Sequence, residues 1–460
     1  MTSILDEPLP PLVSALERPR WSCALGGALA AVGALPRTIP VMHAGPGCAS
    51  NFTWMQNGSG GLATGGYCSG LAMPGSNLQD SEVVFGGHER LGEELANAIK
   101  IMDGDLYFVL TGCVPEVIGD DVDAVVAEYA NDGKPVVFAS TAGFKGNSYF
   151  GYEQVLKTLF KSVVEKGAPK QNDLVNVWGV PPTQDVFWRG NLQGVARLLQ
   201  LLGFRANYFF GSGADLDLIK KSAGARLNIV LSDLYGIEAA ELFKELHGVD
   251  FISTPLPFGA AATEKFLRTV GAALKVSGEA VEKIIDAEGR RHYEYLEGLL
   301  EVFNDMEAQR YAIVIGDANY AFATADFLAE DLGFLPDLIA VTDDLTAEKR
   351  EILLTKRSAR VAGRYGEKSQ VVFIADGAHL TEAVDDTWRA ESWKKYHPAK
   401  RPAIVVGSSL DRGLAAALGA AHLTVAFPVS NRAVLNRGYT GYDGGLTLAE
   451  DVISSFIAAR

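Results

Sequence analysis

Eight short β-rich runs, each followed by a stretch of helical periodicity, restrict this chain more than any other feature it carries. They are LYFVLT (106–111), PVVFAS (135–140), LVNVWGV (174–180), LNIVL (227–231), YAIVIGD (311–317), DLIAVTDD (337–344), VVFIADG (371–377) and AIVVGSS (403–409). Runs so continuously apolar suit strands covered on both faces. Between them, RGNLQGVARLLQLLGF sets Leu192, Val195, Ala196, Leu199 and Leu202 on one stripe and stops at Gly203. Strand alternating with helix means an α/β fold whose parallel sheets are sandwiched by helices. A chain of 460 residues exceeds one core. The expectation is therefore three doubly wound, Rossmann-like parallel-sheet domains spanning 1–170, 171–307 and 308–460, divided at KGAPKQND and after EVFNDME. Several strands end in Gly or Asp, at the carboxyl edge where open α/β sheets place ligands.

Charge narrows the partners. The 41 basic and 56 acidic residues leave a formal charge of −15, which argues against a nucleic-acid surface, since phosphate contacts need concentrated Lys and Arg. No apolar run approaches the ~18 to 20 residues of a membrane span. Only four cysteines occur, all within the first 113 residues, and the N-terminus shows no charged-then-apolar signal pattern, so a cytoplasmic location is expected.

Those few cysteines carry the chemistry. Cys23 opens CALGGALAA, Cys48 ends HAGPGC, and Cys113 follows LYFVLTG and precedes the acidic stretch PEVIGDDVDAVVAEY. Each reads as a strand-to-helix turn, with the helix after Cys48 starting near Ala49, and a helix N-terminus favours thiolate over thiol. Such residues are either small buried hydrophobes or ligands converging on a metal cluster. No CxxC pair is present, so a self-contained zinc or ferredoxin site does not fit, and three thiolates would need a partner chain to complete a cluster.

The order C-x24-C, then VVFGG, then C-x-x-E-V-I-G-D-D resembles the beta-type subunits of the nitrogenase component 1 superfamily, most of all a nitrogenase-like methylthio-alkane reductase. Cys23 and Cys48 stand 25 positions apart and Phe85 lies 28 before Cys113, both as in the beta-chain pattern. The closing run VAFPVSNRAVLNRGYTGYDGGLTLAEDV is similar to the C-terminal motif of the same subunits. The resemblance implies that Cys23, Cys48 and Cys113 are three thiolates to an eight-iron, seven-sulfur P-type cluster shared with an alpha-like subunit, Cys48 bridging. It further implies an α2β2 heterotetramer, an ATP-dependent iron-protein reductase docking at Phe85, and a catalytic metallocluster held by the alpha subunit. On residue type alone, Phe85 beside a Gly-Gly turn reads as a core aromatic.

Departures from the pattern bear on the substrate. Where the molybdenum enzyme's beta chain carries a serine able to bind the oxidised cluster, this chain has Gly143, with Ser140 and Thr141 as nearby substitutes. The N-terminus is short, and the sequence from Asn51 to Gln79 is unlike the beta chains of the molybdenum, vanadium or iron-only enzymes. Within the superfamily the candidate substrates are the carbon–sulfur bond of small methylthio-alkanes, dinitrogen and a tetrapyrrole double bond, and the first is favoured. A non-catalytic scaffold for cofactor assembly is the rival, disfavoured because its beta-like member keeps fewer cluster cysteines.

The remaining motifs read as structural. Without a cysteine beyond 113, His247, His292, His379, His397 and His422 lack the thiolate companion of a cofactor site. His43 and His88 lie near the cluster and docking turns and read as satisfied turn histidines, and Cys68 as a loop thiol. Gly316–Asp317 and Gly407–Ser409 only loosely resemble phosphate loops. Lys349, Arg350, Lys356, Arg357, Arg360, Arg364 and Lys368 form a basic stretch expected to be a solvated helix face with i,i+4 partners. Glu116, Asp120 and Asp121 are expected to cap and charge a helix start.

Overall fold

The computed structural model describes residues 16–62, 73–211, 213–306, 310–392 and 401–459, so Cys68 and His397 lie outside the described residues. Three wholly parallel sheets carry the fold, as the alternation predicts. The first orders β1 (Thr38–His43), β2 (Leu106–Thr111) and β3 (Val136–Ala139) side by side. The second runs β5-β4-β6-β7, built from β4 (Gln171–Trp178), β5 (Arg205–Tyr208), β6 (Ala225–Val230) and β7 (Phe251–Ser253). The third runs β10-β9-β8-β11-β12, from β8 (Tyr311–Gly316), β9 (Leu335–Val341), β10 (Gln370–Phe373), β11 (Ile404–Gly407) and β12 (Ala421–Thr424). Winding out from β4 and from β8 in both directions makes the last two sheets doubly wound.

Four of these strands escape the apolar-run criterion. β1 contains Pro40, and it forms the edge of its regular ladder, where a missing N–H is tolerated. Its free side is closed by an irregular segment, the Met42 N–H donating to Pro74 O at 2.8 Å and the Ser76 N–H to Met42 O at 3.0 Å. β5, β7 and β12 are edge strands of three or four residues.

Two features position the first sheet's loops. Helix Ala24–Gly33 consists largely of Ala and Gly and lies backbone to backbone on helix Ser148–Ser162. A Cβ on Gly27 would fall 2.1 Å from Ser148 O, and one on Gly151 would fall 1.9 Å from Ala24 O. Only glycine allows this approach, which fixes the start of the Ala24 helix against the loop before Ser148.

The basic stretch is not a solvated face with local pairs. Its helix, Ala347–Val361, and the turn after it reach remote carboxylates: Lys356 and Arg360 meet Asp233 (3.3 and 2.6 Å), Arg357 meets Asp326 (2.8 Å) and Arg364 meets Glu330 (2.5 Å). Lys356 and Arg360 thus tie this helix to the loop after β6, while Arg357 and Arg364 tie it and its following turn to helix Ala318–Glu330. The two glycine-rich turns keep their N–H groups for the protein's own acids. Ala318 N–H donates to Asp343 Oδ2 (2.6 Å), Tyr320 N–H to Asp317 Oδ1 (3.0 Å) and Ser408 N–H to Asp411 Oδ2 (2.7 Å). Among the described residues no helix is long and apolar enough to cross a membrane.

Candidate functional site

Each of the three cysteines stands at a helix start. Cys23 is the N-cap residue of Ala24–Gly33, in extended conformation, and its side chain accepts no capping bond. Cys48 sits in the first turn of Pro46–Ser59, which begins three residues before the expected Ala49 because Pro46 carries no N–H to satisfy and its fixed φ suits the first helical position. Cys113 opens a short helix, Cys113–Ile118, that left-handed Gly119 ends. The acidic stretch is therefore two helices, the second (Val122–Asn131) capped by Asp121, which accepts from Ala124 N–H at 3.0 Å.

Gly143 marks where two of the thiols meet. Its N–H donates to Cys113 Sγ at 3.2 Å, and a Cβ built on it would lie 3.2 Å from Cys113 Sγ and 3.6 Å from Cys23 Sγ. Cys23 and Cys113 are exposed, while Cys48 is half-buried. Burial pushes the Cys48 thiol up, and its charge interaction with neighbouring Cys23 and Cys113 pushes it further. The expectation that a helix start favours the Cys48 thiolate is thus reversed, because desolvation and the like charge of its neighbours favour the thiol. Among the described residues no three His, Cys, Asp or Glu side chains close around a single metal ion. Three neighbouring thiols, two exposed and one half-buried, can serve as ligands to a multi-atom group that other ligands complete.

Neither proposed substitute for the missing serine is free to act. Ser140 Oγ donates to Glu116 Oε1 at 2.7 Å, and Thr141 Oγ1 donates to Thr111 O at 2.9 Å. Glu116 does not cap a helix. It accepts from Thr111, Ser140 and the Ala142 N–H (3.2 Å) and pairs with Lys145, bracing the Gly143 loop against the Cys113 helix. Burial would raise its carboxyl, but Lys145, Thr111 and Ser140 together hold it below the ordinary range.

Phe85 is no core residue. It ends helix Asp80–Phe85 with 84% of its surface exposed, and Val84 beside it is 71% exposed. Behind it, Gly87 N–H donates to Asp120 Oδ1 at 2.8 Å, and Asp120 Oδ2 lies 3.0 Å from His43 Nε2. Asp120, like Glu116, is therefore no helix cap. His43 is fully buried, its Nδ1 2.9 Å from Ser76 Oγ, which assigns the ring proton to Nε2 and the hydroxyl proton to Ser76. Burial lowers the His43 pKa, against the opposing pull of Asp120, so the ring is neutral near pH 7. Sequence reasoning missed Asp120 and Glu116 because adjacent acids before a helix read alike. The one available cue is that Asp120 and Asp121 cannot both be the N-cap.

Comparison with known proteins decides the family. The model described as nitrogenase component 1 type oxidoreductase matches residues 23–457. The chain belongs to that family. It is beta-chain-like: it is 24% identical to the nitrogenase molybdenum-iron protein beta chain of Bradyrhizobium diazoefficiens (93% of this chain, 82% of the relative). To the vanadium-iron beta chain of Trichormus variabilis it is 23% identical (96% and 94%), and to the iron-iron beta chain of Rhodobacter capsulatus 22% (96% and 94%). A solved structure titled Nitrogenase Cp1 at pH 6.5 shares the fold, with TM-score 0.76 at 17% identity over 98% of this chain and 95% of that one.

In this component 1 chain His247, His292, His379 and His422 have partners within the protein. His292 Nδ1 lies 3.1 Å from Tyr442 O, His247 Nε2 2.9 Å from Phe160 O and His422 Nε2 3.0 Å from Ser408 O, while exposed His379 pairs with Glu382 at 3.2 Å.

Proposed function

We propose that this chain is the beta subunit of a nitrogenase-like reductase, holding half of an interface iron–sulfur cluster through Cys23, Cys48 and Cys113. The observation that carries this reading is that Cys23 and Cys113, both exposed, meet at Gly143, with Cys48 close enough to feel the charge of both. When bound, a P-type cluster supplies one-electron storage between a docked reductase and the catalytic metallocluster of the alpha subunit. This chain's own part is to hold and orient. The Gly143 N–H supports Cys113 Sγ, Glu116 and Lys145 fix the loop that carries it, and Phe85 offers an exposed aromatic to an ATP-dependent iron protein. The assembly is an α2β2 heterotetramer in the cytoplasm, and all three thiols fall in a cluster-binding unit over residues 1–170.

For the substrate we propose the carbon–sulfur bond of small methylthio-alkanes. Nearly equal identity to the molybdenum, vanadium and iron-only beta chains, 24, 23 and 22%, supports a chain outside all three classes. Gly143 in place of the serine supports the same view. The test is purification with the alpha-like subunit, iron analysis and EPR of wild type and Cys48→Ala, then assay with the iron protein. Iron lost in Cys48→Ala and ethyl methyl sulfide reduced in preference to dinitrogen are expected. Good dinitrogen reduction with the sulfide untouched would overturn the substrate, leaving a nitrogenase beta subunit; iron unchanged in Cys48→Ala would overturn the cluster.

A further inference from the structure

We infer that Asp120 and His43 are positioning residues that couple the surface turn behind Phe85 to the loops carrying Cys48 and Cys113. The inference rests on the reading of Phe85 as the contact for an iron-protein reductase, and it concerns how that contact is felt inside.

The turn behind Phe85 has little slack. Gly86 takes a left-handed φ of +93°, and a Cβ on Gly87 would fall 2.6 Å from Asp120 Oδ2 and 2.8 Å from Leu78 Cδ2. Displacement at Phe85 is therefore passed on through the Gly87 N–H bond to Asp120 Oδ1 (2.8 Å). From Asp120 two routes lead to cysteine loops. Its own N–H donates to Pro115 O at 3.0 Å, inside the helix that Cys113 opens. Its Oδ2 holds the His43 ring, and His43 O accepts the Gly112 N–H at 2.9 Å, one residue before Cys113. His43 also begins the loop HAGPG that ends in Cys48. Both side chains are buried (0% and 3% exposed), so water does not compete for these bonds. A buried residue whose carboxylate bonds the Gly87 turn and the His43 ring, and whose N–H bonds the helix that Cys113 opens, has the form of a coupling element between two sites.

Hydrogen exchange on the assembled complex, with and without the iron protein, tests this. In wild type, docking slows exchange in both 80–87 and 112–119. In Asp120→Ala, docking still slows 80–87, while the response at 112–119 falls about tenfold, within the range of ordinary coupling free energies. Asp120→Asn restores the response, because its amide oxygen accepts from Gly87 N–H while its NH2 donates to His43 Nε2 once the ring proton sits on Nδ1 and is accepted by Ser76 Oγ, and it guards against a folding defect in the alanine variant. A full response at 112–119 in Asp120→Ala, or none there in wild type while 80–87 responds, overturns the coupling. No wild-type response at 80–87 overturns the docking reading itself, a separate outcome.

Discussion

The Gly143 N–H donates to Cys113 Sγ at 3.2 Å, and the space in front of that glycine is bounded by Cys23 as well. A methyl group there would meet Cys113 Sγ and Cys23 Cβ, both at 3.2 Å, closer than ordinary contact. Overpacking of this kind costs about 1–3 kcal/mol, and here it falls on two of the three cysteines proposed to hold the cluster. Gly143→Ala is expected to lower iron retained per complex by half or more, as measured by metal analysis. A remote exposed glycine with open space, such as Gly278→Ala, is expected to leave iron unchanged.

The proposed docking role of Phe85 can be tested apart from stability. With most of its ring in solvent, truncation removes little buried surface, so Phe85→Ala is expected to shift unfolding free energy by less than about 0.5 kcal/mol. Loss of one aromatic anchor at an interface raises a dissociation constant about tenfold. Iron-protein titration of the complex should show that rise in half-saturation while thermal unfolding stays put.

What the sequence disclosed follows from range. Turns such as HAGPGC and TGC announce themselves locally, since Gly, Pro and Cys constrain only their own neighbourhood, and the apolar runs of β2, β4, β8 and β11 report their own burial. The short edge strands did not, because β5 (Arg205–Tyr208) carries Arg and Asn and draws its extended form from pairing with β4. Phe85 shows the opposite failure: residue type alone sends an aromatic inward, whereas the fold leaves it exposed. The links that organise the site, Asp120 to Gly87 and Glu116 to Ser140, join residues 33 and 24 positions apart and have no local signature.

Asp185 sets a sign for the pH dependence of stability. It is buried, accepting from Phe187 N–H (2.7 Å), Asn191 Nδ2 (3.0 Å) and Tyr320 Oη (2.6 Å). Burial pushes its carboxyl up to about 7, against those hydrogen bonds, from about 3.9 in the unfolded chain. The folded state thus holds a proton that the unfolded state releases. The stabilisation is complete below about pH 4 and is lost as pH rises towards 7, at up to about 1.4 kcal/mol per pH unit. Urea unfolding should give a lower midpoint at pH 8 than at pH 5. Asp185→Asn should narrow that difference without abolishing it, since burial also pushes Glu153 and Asp331 to about 7.

Arg20 fastens the segment that leads into Cys23. Its Nη1 and Nη2 each donate to Asp411 at 2.6 Å, Nη1 also reaches Ser408 Oγ at 2.8 Å, and its carbonyl accepts from Gln184 Nε2 at 2.9 Å. Both charges are buried, at 5% and 1% exposure. Removing one partner leaves the other charge stranded, which costs about 3–5 kcal/mol, whereas removing both with volume preserved costs far less. Arg20→Ala should lose stability in that range by chemical denaturation, and Arg20→Met combined with Asp411→Asn should lose less than half as much. Because Arg20 stands three residues before Cys23, Arg20→Ala should also lower the iron retained by the complex. An unchanged denaturation midpoint in Arg20→Ala would show that the pair contributes nothing to holding the N-terminal segment against the third sheet.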